Sequence, residues 1–279
     1  MNSAAAGRLT ASDLAFRYAH QAEPVFQGLS LDIEPGQFVG LIGPNGTGKS
    51  TLLRLLAGLR PPEAGQVSLD GRPLSGFSRP ELARRIAFVP QDVRLWLPFT
   101  CREVVAMGRF ARQKGWGLRE SSADAEIIER CLAETQTDHL AGRRITDISG
   151  GEAQRVRIAQ ALAQQTDILI LDEPTAHLDI RHQVGLMELA VRLSRRGLTV
   201  IAALHDLDMT AMYCSRIAIL SQGRLAGWGA PQEVLTPEAI KDAFGVDAAV
   251  RRDERGYTRV ALDRSDPPSR KSIIARERE

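Results

Sequence analysis

Eight residues, Gly43-Pro44-Asn45-Gly46-Thr47-Gly48-Lys49-Ser50, fit the pattern G-x-x-x-x-G-K-[ST]. Glycines at these spacings let the backbone turn inward, so that several N–H groups converge on one anion. A helix beginning inside the run adds the positive end of its dipole. The chemistry this suits is phosphate binding. Lys49 reaches the β- and γ-phosphates of a nucleoside triphosphate, and Ser50 offers its hydroxyl to Mg²⁺. The bland alternative is a glycine-rich turn with no ligand. An apolar strand before the run and a helical pattern after it favour the phosphate reading.

Two further runs carry chemistry. Ile168 to Leu171 is apolar and ends in Asp172, Glu173 and Pro174. Asp172, at the strand end, is placed to hold the Mg²⁺ shell. Glu173 follows it and is placed to polarise an attacking water as general base. Alone, the pair also reads as two solvated acids at a strand end. Ser149-Gly150-Gly151-Glu152 leads into a helical run and makes a second anion-binding N-terminus. Alone, it reads equally as a helix cap with glycines for close packing. One nucleotide needs one cradle. A second cradle is explained by head-to-tail pairing with another copy, where it closes on the partner's nucleotide.

These groups need a scaffold. Phe38–Ile42, Ile86–Val89, Ile168–Leu171 and Thr199–Leu204 are short apolar runs without alternation, which predicts buried strands covered on both faces. Helical patterns at Lys49–Ala57, Gly151–Gln164 and Gln183–Arg195 lie between them. Such alternation predicts a doubly wound, mostly parallel sheet. Arg8–Tyr18 and Gln66–Asp70 alternate in polarity, as an antiparallel sheet beside the core does. From about Asp92 to Asp147 there is helical patterning but no strong strand, which reads as an inserted helical subdomain. The final SDPPSRKSIIARERE is polar and reads as a loose tail.

Composition narrows the class. The 279 residues carry 36 Lys plus Arg against 34 Asp plus Glu, a formal charge of +2. That balance argues against a dedicated nucleic-acid binder. Cys101, Cys131 and Cys214 form no CxxC pair and suit reduced cytosolic thiols. The start, MNSAAAG, lacks the pattern of a secretory leader. No run approaches the ~18 apolar residues of a membrane span; if the protein serves a membrane process, another chain must supply the membrane path.

Together the three motifs resemble the ABC ATPase family over roughly residues 8 to 230. The SGG run just upstream of the DE pair is the specific element. The resemblance implies an α/β fold: a P-loop ABC ATPase cassette with a mostly parallel core sheet, an antiparallel β subdomain and an inserted helical subdomain. The ATPase domain is expected over 8–235, with its helical subdomain at about 92–165. Residues 236–279 are then a C-terminal extension and tail. ATP and Mg²⁺ are the implied cofactors. Gly43, Asn45, Gly46, Thr47, Gly48, Lys49, Ser50 and Thr51 bind the phosphates; Ser50, Gln91 and Asp172 serve the metal. Catalysis falls to Glu173, His205 and Gln91. Gln91, in VPQD, matches the family's Q-loop glutamine, and His205 its switch histidine. Ser149, Gly150 and Gly151 face the partner's ATP, and Asp179 lies in the loop that crosses the dimer interface. Tyr18 matches the aromatic that stacks on adenine; otherwise it is a strand tyrosine packing on the sheet. His20, His139, His177 and His182 read as surface or packing residues. The signature departs from LSGGQ in having Ile148 and Glu152, which leaves the contribution of Glu152 open.

Leu97–Phe110, Asp172–Gln183 (with His177 in the loop) and the stretch GAPQEVLTPEAIKDAFGV resemble importers of ferric siderophore, haem or cobalamin. This implies an ATP-sandwiched homodimer, peripheral on the cytoplasmic face of the inner membrane. It would sit under a transmembrane permease served by an extracytoplasmic substrate-binding protein, with no nucleic-acid partner. The alternatives are an importer of metal ions such as zinc or manganese, an exporter subunit, or a soluble ATPase of translation or DNA repair. The single phosphate loop and the lack of sustained heptads weigh against the last.

Overall fold

The computed structural model describes residues 7–20, 22–91, 98–112, 120–176 and 178–262. Leu97, His177 and the tail from residue 263, to which the sequence reading assigned meaning, lie outside the described residues.

The first stretch contains β1 (Leu9–Phe16), β2 (Phe26–Ile33), β3 (Phe38–Ile42), α1 (Lys49–Leu56), β4 (Ala64–Leu69) and β5 (Arg72–Pro73). It continues with α2 (Arg79–Ala83) and β6 (Ile86–Val89). Strands β2, β1, β4 and β5 pair antiparallel in that order. Leu9, Ala11, Leu14 and Phe16 of β1 turn inward, with a register shift between Ala11 and Leu14 interrupting the strict alternation. Tyr18 falls beyond the end of β1, so it leaves the ladder and is free to face the phosphate loop.

A helical group follows: α3 (Cys101–Met107), α4 (Ser122–Glu134) and α5 (Gly150–Ala163). The helices share their own core, with Val104, Val105, Ile128, Leu132 and Val156 fully buried. All three cysteines are buried and free, and burial pushes the Cys131 thiol up to about 11. Close packing depends on Gly108, just after α3, where a Cβ would stand 2.1 Å from the Gln160 carbonyl oxygen on α5. Backbone cannot yield as a flexible side chain can. Gly108→Ala is therefore expected to destabilise the protein by about 1–3 kcal/mol, the usual magnitude of overpacking. A thermal melt reads this, and an unchanged midpoint would refute the contact.

The chain closes with β7 (Ile168–Leu171), α6 (Ile180–Arg195), β8 (Thr199–Ala203), α7 (Leu207–Tyr213), β9 (Arg216–Ser221) and β10 (Arg224–Gly229). After these come α8 (Pro231–Val234), α9 (Pro237–Phe244), β11 (Ala248–Arg252) and β12 (Thr258–Leu262). The core sheet runs β10-β9-β3-β8-β7-β6. All its pairings are parallel except β10 with β9. Every residue of β3, β7 and β8 is buried, as a sheet covered on both faces requires. The fold class is the one expected. The helical group connects the neighbouring parallel strands β6 and β7, so it is an enlarged strand–helix–strand crossover.

The sequence reading treated residues beyond 235 as an extension. Within it, β11 and β12 form a hairpin that folds back on the core. The Val260 N–H donates to Asp208 Oδ1 at 2.8 Å, on the first turn of α7, and the Val260 side chain joins the core around α6 and α7.

Candidate active site

The phosphate loop spans the end of β3 and the start of α1. Gly48 takes φ 95°, and a Cβ there would come within 2.5 Å of Val25. Only glycine meets both conditions, so the consensus position is fixed by local geometry as well as by ligand access. Lys49 is 5% exposed, and its Nζ donates to the carbonyls of Gly43 (2.7 Å) and Pro44 (3.0 Å). Burial pushes its pKa down, while Glu173 and Asp172 oppose that shift. The ammonium is thus held inside the loop, ready to exchange carbonyls for phosphate oxygens.

Ser50, on the first turn of α1, donates its hydroxyl to Asp172 Oδ1 at 2.8 Å. Asp172 directly follows β7 and is 1% exposed. Burial raises its pKa, partly offset by Ser50, Arg54 and Lys49. A hydroxyl and a carboxylate in contact are hard oxygen donors, the set that suits Mg²⁺ bound mainly through substrate phosphates. Among the described residues no group of three His, Cys, Asp or Glu forms a cage of its own.

The raised pKa makes a stability prediction. A carboxyl whose folded pKa is raised favours folding in its neutral form, and that advantage is lost as pH rises through the folded value. Ionised Asp172 therefore weakens the ligand-free fold at neutral pH. Asp172→Asn is expected to raise the melting midpoint at pH 7 by ~2–4 °C, as about 1 kcal/mol does in a chain of this size. The gain should shrink as pH falls towards ~4, where the free carboxyl is itself protonated. A lower midpoint at pH 7 would contradict the burial argument.

Glu173 has φ 49°, a left-handed conformation unusual for a glutamate. The turn aims its carboxylate at two partners. Gln91 Nε2 donates to Oε2 at 2.6 Å, and His205 Nε2 lies 2.9 Å from Oε1. Gln91 follows β6 and His205 follows β8, so three neighbouring parallel strands deliver these groups to one end of the sheet. Ligand sites in open α/β sheets fall at such carboxyl ends.

Tyr18 completes the other end of the cleft. Its hydroxyl bonds Thr51 Oγ1 at 2.8 Å, Phe16 meets its ring edge-on at 5.0 Å, and Arg60 lies 5.4 Å from the ring centroid. The cleft measures about 960 Å³ and is lined by Tyr18, Pro44 to Thr51, Glu173 and the β9–β10 turn at Ser221–Gly223. The upper end of the usual range for small-molecule sites is of this size.

Ser149, Gly150, Gly151 and Asp179 are not in this cleft. Ser149 caps α5, and Glu152 closes a reciprocal capping box. The Ser149 N–H and hydroxyl donate to Glu152 Oε2 (2.8 and 2.7 Å), and Glu152 N–H donates to Ser149 Oγ (3.3 Å). The S-x-x-E spacing announces this box in the sequence, and it supplies the contribution of Glu152 that the signature comparison left open. Asp179 caps α6, accepting from the His182 N–H at 2.9 Å. The two segments adjoin, since a Cβ on Gly151 would meet Leu178 at 3.2 Å. Arg60 and the Ser221–Gly223 turn are site neighbours that motif reading gave no role. The Gln222-Gly223 pair between two apolar runs was the available turn signal.

A glycine-rich loop ahead of a helix, a strand-end Asp–Glu pair contacted by a glutamine and a histidine, and an SGG-capped helix on a crossover subdomain together define the layout of an ATP-binding cassette. Residues 26–176 match the ABC transporter family, and the chain belongs to that family. It is 43% identical over 239 residues to the hemin import ATP-binding protein HmuV of Pseudomonas putida, covering 84% of this chain and 92% of that one. It is 42% identical over 230 residues to the cobalamin import ATP-binding protein BtuD of Halobacterium salinarum. That match covers 82% of this chain but 57% of the longer relative. A solved metal-chelate type ABC transporter in an inward-facing conformation superposes with a TM-score of 0.80 at 26% identity, covering 93% of this chain and 98% of that one.

Proposed function

We propose that this chain is the ATP-hydrolysing subunit of an ABC importer, driving uptake of ferric siderophore, haem or cobalamin through a separate permease. The observation that carries the ATPase reading is Glu173, held between Gln91 and His205 at the mouth of the phosphate-loop cleft. The cargo class rests on the relatives' roles in hemin and cobalamin import.

In this reading Lys49 and the loop N–H groups bind the β- and γ-phosphates, and Ser50, Asp172 and Gln91 hold Mg²⁺. The metal, when bound, supplies charge neutralisation on the phosphate oxygens. Glu173 takes a proton from the attacking water, and His205 contacts the γ-phosphate. Ser149, Gly150 and Gly151 lie outside the chain's own cleft, which supports a head-to-tail dimer in which they serve the partner's ATP. Ile180, 77% exposed beside Asp179, supports burial of that face on pairing. Among the described residues no helix is long and apolar enough to cross a membrane. The chain would act peripherally, on the cytoplasmic face, beneath a permease fed by a substrate-binding protein.

Tyr18→Ala is expected to weaken ATP binding by the ~1–3 kcal/mol of a lost stacking surface, whereas Tyr18→Phe keeps the ring. Equal loss in both, by equilibrium titration, would move the effect to the Thr51 hydrogen bond. The reading as a whole is tested by uptake of labelled ferric siderophore, haem and cobalamin in cells lacking the gene. Loss of one uptake, restored by the wild type and not by Lys49→Ala, names the cargo. Persistence of all three overturns the importer branch.

A further inference from the structure

A second cleft, of about 370 Å³, lies away from the nucleotide. One wall is the end of α4, the Asp138–Leu140 turn and α5; the other is the solvent side of α6. Arg155 enters from α5, and Arg181 and Arg192 from α6. Two carboxylates share the lining, but Glu134 is already paired with Arg196. Asp138 remains against three guanidiniums, with the His139 imidazole alongside; the His182 ring already meets Asp179 at 2.8 Å.

Exposed arginines are ordinarily solvated surface. Three observations separate this group from that background. None of the three arginines makes an ion pair among the described residues. The Nε–H of Arg155 is buried with no hydrogen-bond acceptor, a state that is unfavourable unless something accepts from it. Nor are the arginines needed to cap α4. Its terminal carbonyls at Cys131, Leu132 and Ala133 already accept from Thr135, Thr137 and Gln136.

We propose that this cleft binds a small multivalent phosphate anion, gripped by Arg155, Arg181 and Arg192. Guanidinium forks match phosphate oxygens in pairs. Because Arg155 belongs to the helical subdomain and the other two to the core, the bound anion ties the two together.

The test is calorimetric titration of inorganic pyrophosphate into the full chain, saturated with ADP in matched Mg²⁺ buffer so that the phosphate loop is blocked. Saturable binding is expected. R181A/R192A, on the exposed face of α6, should weaken it at least ~10-fold, and Arg155→Lys, which keeps the charge but removes the Nε donor, several-fold. R251A/R252A removes two exposed charges elsewhere and should leave it unchanged. Binding should also persist in Lys49→Ala. No saturable heat, equal binding in both double variants, or loss of binding in Lys49→Ala would overturn the proposal.

Discussion

Glu173→Gln is expected to lower ATP turnover by ~10²–10⁴-fold, the usual contribution of a general base, while leaving ATP binding intact. The substitution keeps the side-chain shape, and an amide oxygen can still accept from Gln91, so the surrounding geometry survives. What disappears is the proton acceptor. With hydrolysis stalled, ATP stays between two cassettes, and a long-lived dimer should appear by size-exclusion chromatography only with ATP and Mg²⁺. Turnover within a few-fold of wild type would remove Glu173 from the reaction. Stalled turnover with ATP bound to a monomer would instead count against the sandwich.

The second large effect is at Lys49. Its two hydrogen bonds now end on the Gly43 and Pro44 carbonyls. In the proposed site they would pass on ATP binding to phosphate oxygens, where hydrogen bonds to charged groups contribute ~1.5–3 kcal/mol each. Lys49→Ala should therefore weaken ATP by roughly 10²–10⁴-fold, at 1.4 kcal/mol per factor of ten. Fluorescent-nucleotide titration measures this, and a parallel thermal melt separates lost affinity from a damaged fold. Affinity within ten-fold of wild type in a folded variant would show that the loop N–H groups carry the binding without the lysine.

Much of this site was legible because its chemistry is local. The phosphate loop needs glycines at fixed offsets, and Asp172 and Glu173 must end a buried strand, so spacing and hydropathy mark both. Gln91 and His205 were different. Nothing local distinguishes a glutamine after VP or a histidine after an apolar run. Only the family resemblance singled them out, and only the parallel order β6-β7-β8 shows why they meet Glu173. Strand β2 was passed over although FQGLSLDI partly alternates, because its glycine lowers strand propensity. The hairpin β11–β12 was absorbed into the charged extension. Arg251 and Arg252 are exposed, and the bond from Val260 to Asp208 that helps anchor the hairpin joins residues 52 apart in sequence. The helix at Gln183 begins three residues earlier, at Ile180, since Asp179 caps it.

The crossover that carries the helical subdomain also has a mechanical reading. It is mounted on two posts, one at each end of the sheet. The return post is stiff: Arg109 Nη1 grips the Ala163 carbonyl at 2.6 Å, Arg112 Nε grips that of Gln164 at 2.6 Å, and Arg85 pairs with Asp167. The outgoing post is a single strand, β6, followed two residues on by Gln91, whose one side-chain hydrogen bond among the described residues is to Glu173. A lever clamped at one end and pinned at the other deflects at the pin. In the proposed ATPase, load on the helical subdomain would be expected at Gln91 as a displacement of the group that touches Glu173, and a change at Glu173 would be expected to move the subdomain in return.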